Sequence, residues 1–374
     1  MMIELAIYLA FVGTFLWWMI VLVPWRPWDT QESLESTNDE KLPLDDITVL
    51  IPARNEGLLI KQTLDALSTQ GLNLQIIVID DQSDDDTAEQ AQNWGVTVLS
   101  GTPPPAGWSG KLWALEQGLS KVRTPYTLLL DADITLTQGI VTTLLKKARE
   151  ENLAFVSLMA EPSLHRFIER LLMPAFVFFF KLLYPFRLAN KPGSRVAAAA
   201  GGCILVKTNV LRTIGAFASL RDALIDDCTL ASRIKHAGLP TWIGLSHSAR
   251  SHRGYDDMKT IWNMVARTAY TQLHYSPLLL FACTLIMVSM FWFAPLVSLF
   301  FPLNTIVIIT GILTWIAMII VYLPILRYYQ RSMLSVMALP IIGTLFLLMT
   351  WTSAFRFWRG ERAQWKNRRY EISA

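Results

Sequence analysis

Asp131 and Asp133, one residue apart directly after the apolar run Tyr126–Leu130, are the first residues whose types and spacing suggest chemistry. Two carboxylates at the end of a strand can both turn toward one cation. A hard divalent ion such as Mg or Mn takes oxygen ligands and bridges diphosphate oxygens, and its charge would neutralise a departing diphosphate. The bare Asp-x-Asp pattern also occurs in solvated turns, and it is the preceding strand that singles this one out. Asp80 and Asp81 end a second apolar run, where carboxylates can accept hydrogen bonds from a base or from ribose hydroxyls. The acids that follow, Asp84 to Asp86, read mainly as capping of the next helix, with Ser83 or Asp84 as N-cap. Pro52, Ala53 and Glu56 close a third run and can present backbone groups and one carboxylate to a nucleoside; such a turn is common in α/β proteins. Lys111 opens a helix after the loop Thr102–Ser109 and can reach a phosphate or a sugar, or simply lie on the surface. Asp226 and Asp227 precede a helical stretch. One of them can deprotonate a hydroxyl, or the pair can serve as an N-cap. His252, Arg253 and Arg267 complete the set as groups able to hold a diphosphate. Arg267 is notable on an apolar helix beside Trp262, Met264 and Val265, where an unpaired buried charge is costly.

The elements that must position these residues are legible from periodicity. Ile47–Ile51, Leu74–Ile79, Val96–Leu99 and Tyr126–Leu130 are short, apolar, β-branched-rich runs that read as buried strands. Residues 57–70 and 87–94 between them read as helices. Strands alternating with helices imply an α/β domain with a mostly parallel sheet covered on both faces. Ligands of such sheets bind at the carboxyl ends of the strands, which is where the acidic clusters stand. Residues 29–46 are polar and acidic and read as a linker.

Apolar residues make up 52% of the 374, concentrated in the first 23 residues and the last hundred. Ile3–Val23 is long enough to span a bilayer. It lacks a basic leader and a cleavage site, so it reads as an uncleaved anchor, with Trp17, Trp18, Trp25 and Trp28 as an interfacial belt. Stretches 278–300, 304–326 and 336–355 are each long enough to cross, and Pro295, Pro302, Pro324 and Pro340 make irregular helices plausible. Residues 164–188, apolar and aromatic between basic flanks, read as an interfacial amphipathic helix, the alternative being a buried core helix. The domains expected are therefore an anchor over 1–28, a catalytic domain over 46–275, membrane segments over 276–356 and a basic tail over 357–374. The tail's cluster Arg356, Arg359, Arg362, Lys366, Arg368 and Arg369 belongs on the cytoplasmic face. Three full crossings after a cytoplasmic domain would put it outside, so one stretch is expected to be re-entrant or to lie in the interface. A net charge of +3 gives no case for nucleic acid, and three scattered cysteines make neither a metal pattern nor a disulfide framework.

Taken in order, Ile51-Pro-Ala-Arg-Asn-Glu56, Asp80-Asp-x-Ser83, Gly110-Lys111, Asp131-x-Asp133, Gly201-Gly202, Asp226-Asp227 and a C-terminal arginine resemble the family 2 glycosyltransferases of GT-A fold, over about residues 46–270. Within that family, 103–114 resembles the hopanoid-associated membrane enzymes, and Gln364–Tyr370 resembles relatives that glycosylate carotenoids and other lipids. The resemblance implies a nucleoside pocket of Pro52, Ala53, Glu56, Asp80 and Asp81, with Lys111 near the donor. It implies Mg or Mn on Asp131 and Asp133, an acceptor side shaped by Gly201 and Gly202, Asp227 as general base, and Asp226 where Glu is commoner. Gln82 departs from the usual Gly. Of the processive members' Gln-x-x-Arg-Trp only Arg267 is matched, with Met264 and Thr268 beside it, which favours a single transfer. The implied activity is inverting transfer of one sugar from a nucleotide-sugar, UDP-sugar favoured, to a lipid such as a hopanoid or carotenoid. A processive polysaccharide synthase and a non-catalytic membrane binding module are the alternatives.

Overall fold

The computed structural model describes residues 2–37, 43–221, 223, 225–255, 257–300, 304–361, 364–365 and 368–369. Two compact units emerge from the contacts. One comprises Met1–Gln31, Leu164–Pro185 and Tyr255–Glu361; the other Glu32–Ser163, Phe186–Gly254 and Arg362–Ala374.

The second of these is an α/β unit. Its strands are β1 (Ile47–Ala53), β2 (Gln75–Asp80), β3 (Thr97–Ser100), β4 (Tyr126–Leu130), β5 (Ile134–Leu136), β6 (Phe155–Glu161), β7 (Cys203–Lys207) and β8 (Thr241–Ser251). They form one sheet in the order β3-β2-β1-β4-β7-β6-β8-β5. β1 is buried along its whole length, as expected of a strand covered on both faces. Successive residues point to opposite faces, so Val49 and Ile51 join Ile60, Leu64 and Leu144 in one core layer. Leu50 joins Leu112, Leu115, Leu230 and Ile234 in the other. Each such side chain contributes about 1.5–3 kcal/mol on burial. The four predicted strands and two predicted helices are all present, the helices as Gly57–Ser68 and Thr87–Asn93.

Strand direction decides what meets at the sheet's edge. β2 and β4 run parallel to β1, so Ala53, Asp80 and Leu130 all end on one side. β7 runs antiparallel to β4 with Leu130 opposite Cys203, which brings the start of β7 to that same edge. Asp131 N then donates to Gly202 O at 3.0 Å. β8 pairs antiparallel with β5, with Ile134 opposite Ser251, and so delivers the residues after Ser251 to Asp133. β1 continues past Pro52 to Ala53. It pairs with β4 only through Leu50, so the ring at Pro52 interrupts no ladder bond on that side.

The polar segment expected to be a linker is partly docked. Leu34 N donates to Leu245 O and Leu245 N to Glu32 O, and the Glu35 carboxylate accepts from His247 N, Ser248 N and Ser248 Oγ. Leu44 is fully buried. The acids after Asp81 also differ from a simple cap. Asp86 is the N-cap and makes no side-chain cap bond, while Asp85 accepts from Gly57 N and Thr87 N and so ties two helix starts together.

The other unit is helical. Four helices are long and apolar enough to cross a membrane among the described residues: Glu4–Leu22, Pro277–Val297, Thr305–Tyr328 and Met333–Trp358. Pro295 lacks the N–H that would bond to Phe291, and a π-helical segment, Ser289–Phe293, precedes it. Pro302 lies outside the described residues. Trp17, expected in an interfacial belt, is instead fully buried, donating Nε1 to Met290 O at 2.9 Å and meeting Phe291 edge-on. Phe167–Leu183 is a helix whose Phe178 packs on Tyr322 and whose Phe179 packs on Phe291 and Phe346. One side of it is thus bundle core, while Phe167 and Leu183 remain exposed. Of the basic tail, whose residues from Arg362 onward fall to the α/β unit, 362–363, 366–367 and 370–374 lie outside the described residues; Gln364–Trp365 and Arg368–Arg369 form a short antiparallel pair.

Candidate active site

Lys111 sits at the start of the Gly110–Leu119 helix, whose N-cap Ser109 accepts from Leu112 N. From there its Nζ reaches Asp131 Oδ1 at 2.6 Å. The two line one cavity with Pro52, Gly201, Asp226 and Asp227, over an apolar floor that includes Leu115, Ile204, Phe217 and Leu230. Phe217 and Ala218 donate their N–H groups to Glu116, which fixes that part of the floor to the Lys111 helix. No sequence signal marks Glu116 for this role.

Asp226 and Asp227 are the first residues of the Asp226–His236 helix; Ile225, not the pair, is its N-cap. Asp227 Oδ1 accepts from Cys228 N at 2.7 Å. A Cβ added to Gly201 would lie 3.3 Å from Asp227 Oδ2 and 3.6 Å from Lys111 Nζ. The chain can pass between the acid and the lysine there because residue 201 has no side chain. Burial, then the neighbouring Asp226 carboxylate, pushes the Asp227 carboxyl up to about 7. Burial also raises Asp131; Lys111 opposes this, while Asp133 and Asp226 add to it. The Lys111 ammonium is desolvated, yet Asp131, Asp226 and Asp227 hold it above the usual lysine range. Cys203 is pushed up to about 12 by burial, so its thiol is inert.

Asp133 faces a different set. Its Oδ2 accepts from Ser251 Oγ at 3.0 Å and from Arg253 Nε at 3.1 Å. The same guanidinium reaches Glu56 Oε1 at 2.5 Å. Burial works against the Arg253 charge, and Asp133 and Glu56 overcome it. His252 N donates to Asp133 O, and its ring lies 3.2 Å from Leu59 O. Burial lowers the His252 pKa, which leaves the ring neutral at pH 7. Asp80 accepts from Ser83 N, and Asp81 is buried, with its N–H bonded to Ala53 O. Arg54 bonds the carbonyls of Asp81 and Gln82. The α/β unit thus gathers every residue singled out by sequence except Arg267. That residue belongs to the helical unit, exposed as C-cap of the Met258–Ala266 helix. It is therefore not a buried charge, and a cation at a helix C-terminus is locally favourable.

The donor set suits a hard cation. Asp131 and Asp133 offer oxygen alone, the donor type that a hard divalent ion takes; burial is the main cause that raises the Asp131 carboxyl, with Asp133 and Asp226 adding to it.

Residues 48–215 match the family model described as Glycosyl transferase family 2. They are a family 2 glycosyltransferase domain. A 4,4'-diaponeurosporenoate glycosyltransferase of Staphylococcus haemolyticus (strain JCSC1435) is 39% identical over 92 residues, 24% of this chain and 24% of that protein. The enzyme of the same name from Staphylococcus aureus (strain USA300) is 36% identical over 103 residues, 27% of this chain and 28% of that one. The matched stretch therefore spans about a quarter of these relatives' length. Among solved structures, the mannosyltransferase PcManGT from Pyrobaculum calidifontis, in complex with GDP-Man and Mn2+, superposes with TM-score 0.56. The superposition covers 96% of this chain and 99% of that one at 17% identity. At that identity the likeness is one of fold, and the glycosyltransferase domain has the GT-A architecture.

Proposed function

We propose that the protein is a membrane-bound, inverting glycosyltransferase that moves one sugar from a nucleotide-sugar to a lipid acceptor. The observation that carries this is Asp227, an acid brought near neutrality in the same cavity as Lys111 and Asp131. A general base works best with a pKa near the working pH. Asp227 takes the proton of the acceptor hydroxyl; the oxygen attacks the anomeric carbon as the bond to the diphosphate breaks. One in-line displacement inverts the centre. Lys111 meets the charge that develops on the departing diphosphate, and Asp226 keeps Asp227 basic. Pro52, Ala53, Glu56, Asp80 and Asp81 take the nucleoside, and Gly201 and Gly202 leave room for the acceptor. Arg267 stays in the proposal as the C-terminal arginine of the family pattern. A divalent cation, Mg or Mn, held by Asp131 and Asp133 would supply charge neutralisation at the diphosphate.

The lipid acceptor is supported by relatives named for 4,4'-diaponeurosporenoate and by the four apolar helices. The placement of Arg356 and Arg359 on the cytoplasmic face is supported by how the last helix packs. Thr284 meets Trp351, Leu280 meets Ala354 and Tyr275 stacks on Phe357. Leu339–Trp358 therefore runs antiparallel to the helix starting at Pro277 and ends at the level where that helix begins. This pairing supports an even number of net crossings between them, with one of the three stretches re-entrant or lying in the interface.

The test is transfer by detergent-purified protein from a panel of nucleotide-sugars, UDP-sugars first and GDP-mannose next, with and without Mn2+, into a total lipid extract. Metal-dependent release from one donor with a new glycolipid is the expected result. A folded protein that turns over no donor would overturn the reading.

A further inference from the structure

Each carboxylate of the Asp131-x-Asp133 pair is engaged by its own side-chain cation. Lys111 Nζ lies 2.6 Å from Asp131 Oδ1, and Arg253 Nε lies 3.1 Å from Asp133 Oδ2. The two cations come from distant parts of the chain and hold the pair from separate places, one a helix start, the other the loop just after β8. Neither is a loose surface group, since their side chains are 20% and 33% exposed. Arg253 is also tied at 2.5 Å to Glu56, the N-cap of the Gly57–Ser68 helix. A divalent ion arriving at the pair meets two positive charges already there, and like charges at contact distance repel strongly in a partly desolvated site. A diphosphate arriving with the ion reverses this, because it gives both cations an anion to bind.

We propose that Lys111 and Arg253 form a two-cation latch that couples metal binding to donor binding. Without nucleotide they occupy the carboxylates and keep metal affinity low. With a nucleoside diphosphate bound they transfer to its phosphates and leave the carboxylates to the metal. Arg253 is thereby a positioning residue that links the Glu56 end of the site to Asp133. The inference rests on the reading of Asp131 and Asp133 as metal ligands. Coupling of this kind is reciprocal: what the nucleotide does for the metal, the metal does for the nucleotide.

The experiment is a Mn2+ titration of the full-length, detergent-purified chain, followed by the electron paramagnetic resonance signal of free Mn2+, alone and with UDP or GDP. The wild type should bind Mn2+ at least about tenfold more tightly with one of the nucleotides, within the usual range of coupling between sites. Arg253→Gln and Lys111→Gln keep a hydrogen-bond donor and remove the charge. Each should tighten Mn2+ alone by about three- to tenfold, weaken the nucleotide, and shrink the coupling. Arg253→Lys restores charge without the fork to Glu56 and should return the low metal affinity. A merely structural Arg253 would give the opposite pattern, with metal binding weakened in both Arg253 variants. Unchanged or weaker Mn2+ binding in Arg253→Gln and Lys111→Gln overturns the latch. Mn2+ binding absent from the wild type even with UDP or GDP present, or, with nucleotide, unaltered by Asp131→Asn, overturns the metal-ligand reading and the latch with it.

Discussion

Asp227 Oδ2 stands 3.3 Å from the point where a Cβ on Gly201 would lie, on the side of the cavity shared with Lys111. The acid is close-packed against a residue that has no side chain to move. Asp227→Asn keeps the shape and removes the base. Donor binding, followed by calorimetry, is expected to stay within about twofold, while transfer falls roughly 10²–10⁴-fold, the usual worth of a general base. Full turnover in the variant would remove Asp227 from its role.

The raised Asp227 pKa gives a sign to the pH dependence. The base must be ionised, so kcat/KM should climb with pH and level off above about 7, with that limb absent in Asp227→Asn. For stability the sign is opposite. A carboxyl whose folded pKa exceeds its unfolded value binds its proton more tightly when folded. Its contribution is favourable at acid pH and is lost as pH rises from the unfolded value through about 7. Thermal unfolding in chelator should therefore show Asp227→Asn gaining on the wild type between pH 5 and pH 8. A constant difference across that range would contradict the assignment.

Gly201→Ala tests the close approach. The added methyl would sit 3.3 Å from the Asp227 carboxylate and 3.6 Å from Lys111 Nζ, tight but outside the packed core. Unfolding temperature should hardly move, while transfer drops by about ten- to a hundredfold, since displacing a catalytic group by a fraction of an ångström to an ångström costs on that scale. Equal loss of stability and activity would place Gly201 among structural residues.

Glu35 is a strap. Its carboxylate accepts from His247 N, Ser248 N and Ser248 Oγ. Glu35→Ala removes an acceptor shared by these three donors and should lower stability by about 1–3 kcal/mol, read by denaturant unfolding. Activity per folded molecule should be retained, and loss of activity at full stability would point to a direct role for the segment.

The antiparallel pairing of the Pro277 and Leu339–Trp358 helices, seen in Thr284 with Trp351 and Tyr275 with Phe357, predicts a shared membrane face. Single cysteines at His274 and Glu361, in a chain stripped of Cys203, Cys228 and Cys283, should react with an impermeant maleimide from the same side of sealed vesicles. Labelling from opposite sides would refute the even number of crossings.

Local pattern was enough for β1 to β4, for the acids at their ends and for the apolar helices, because each follows from residues adjacent in the chain; β5 to β8 were not read from it. Val49 and Leu50 alternate between core layers, and Asp80 and Asp131 end runs that can only be buried strands. Which atoms those acids would meet was not legible. Lys111 turns onto Asp131 because Ser109 caps its helix beside the end of β4. Arg253 reaches Glu56 across 197 positions of chain because β8 lies antiparallel to β5 and parallel to β6. Glu35, read as part of a polar linker, is instead tied to β8, and Trp17, read as an interfacial anchor, is buried against Met290 and Phe291. Hydropathy records how apolar a segment is, not which neighbour covers it. The sequence by itself determined the kind of sheet, the chemistry of its edge and the presence of membrane-length helices, all set by period and residue type. Only the tertiary structure decided which cation faces which carboxylate, what raises Asp227, and which helix ends share a level, since charge pairing and desolvation depend on distances between residues far apart in the chain.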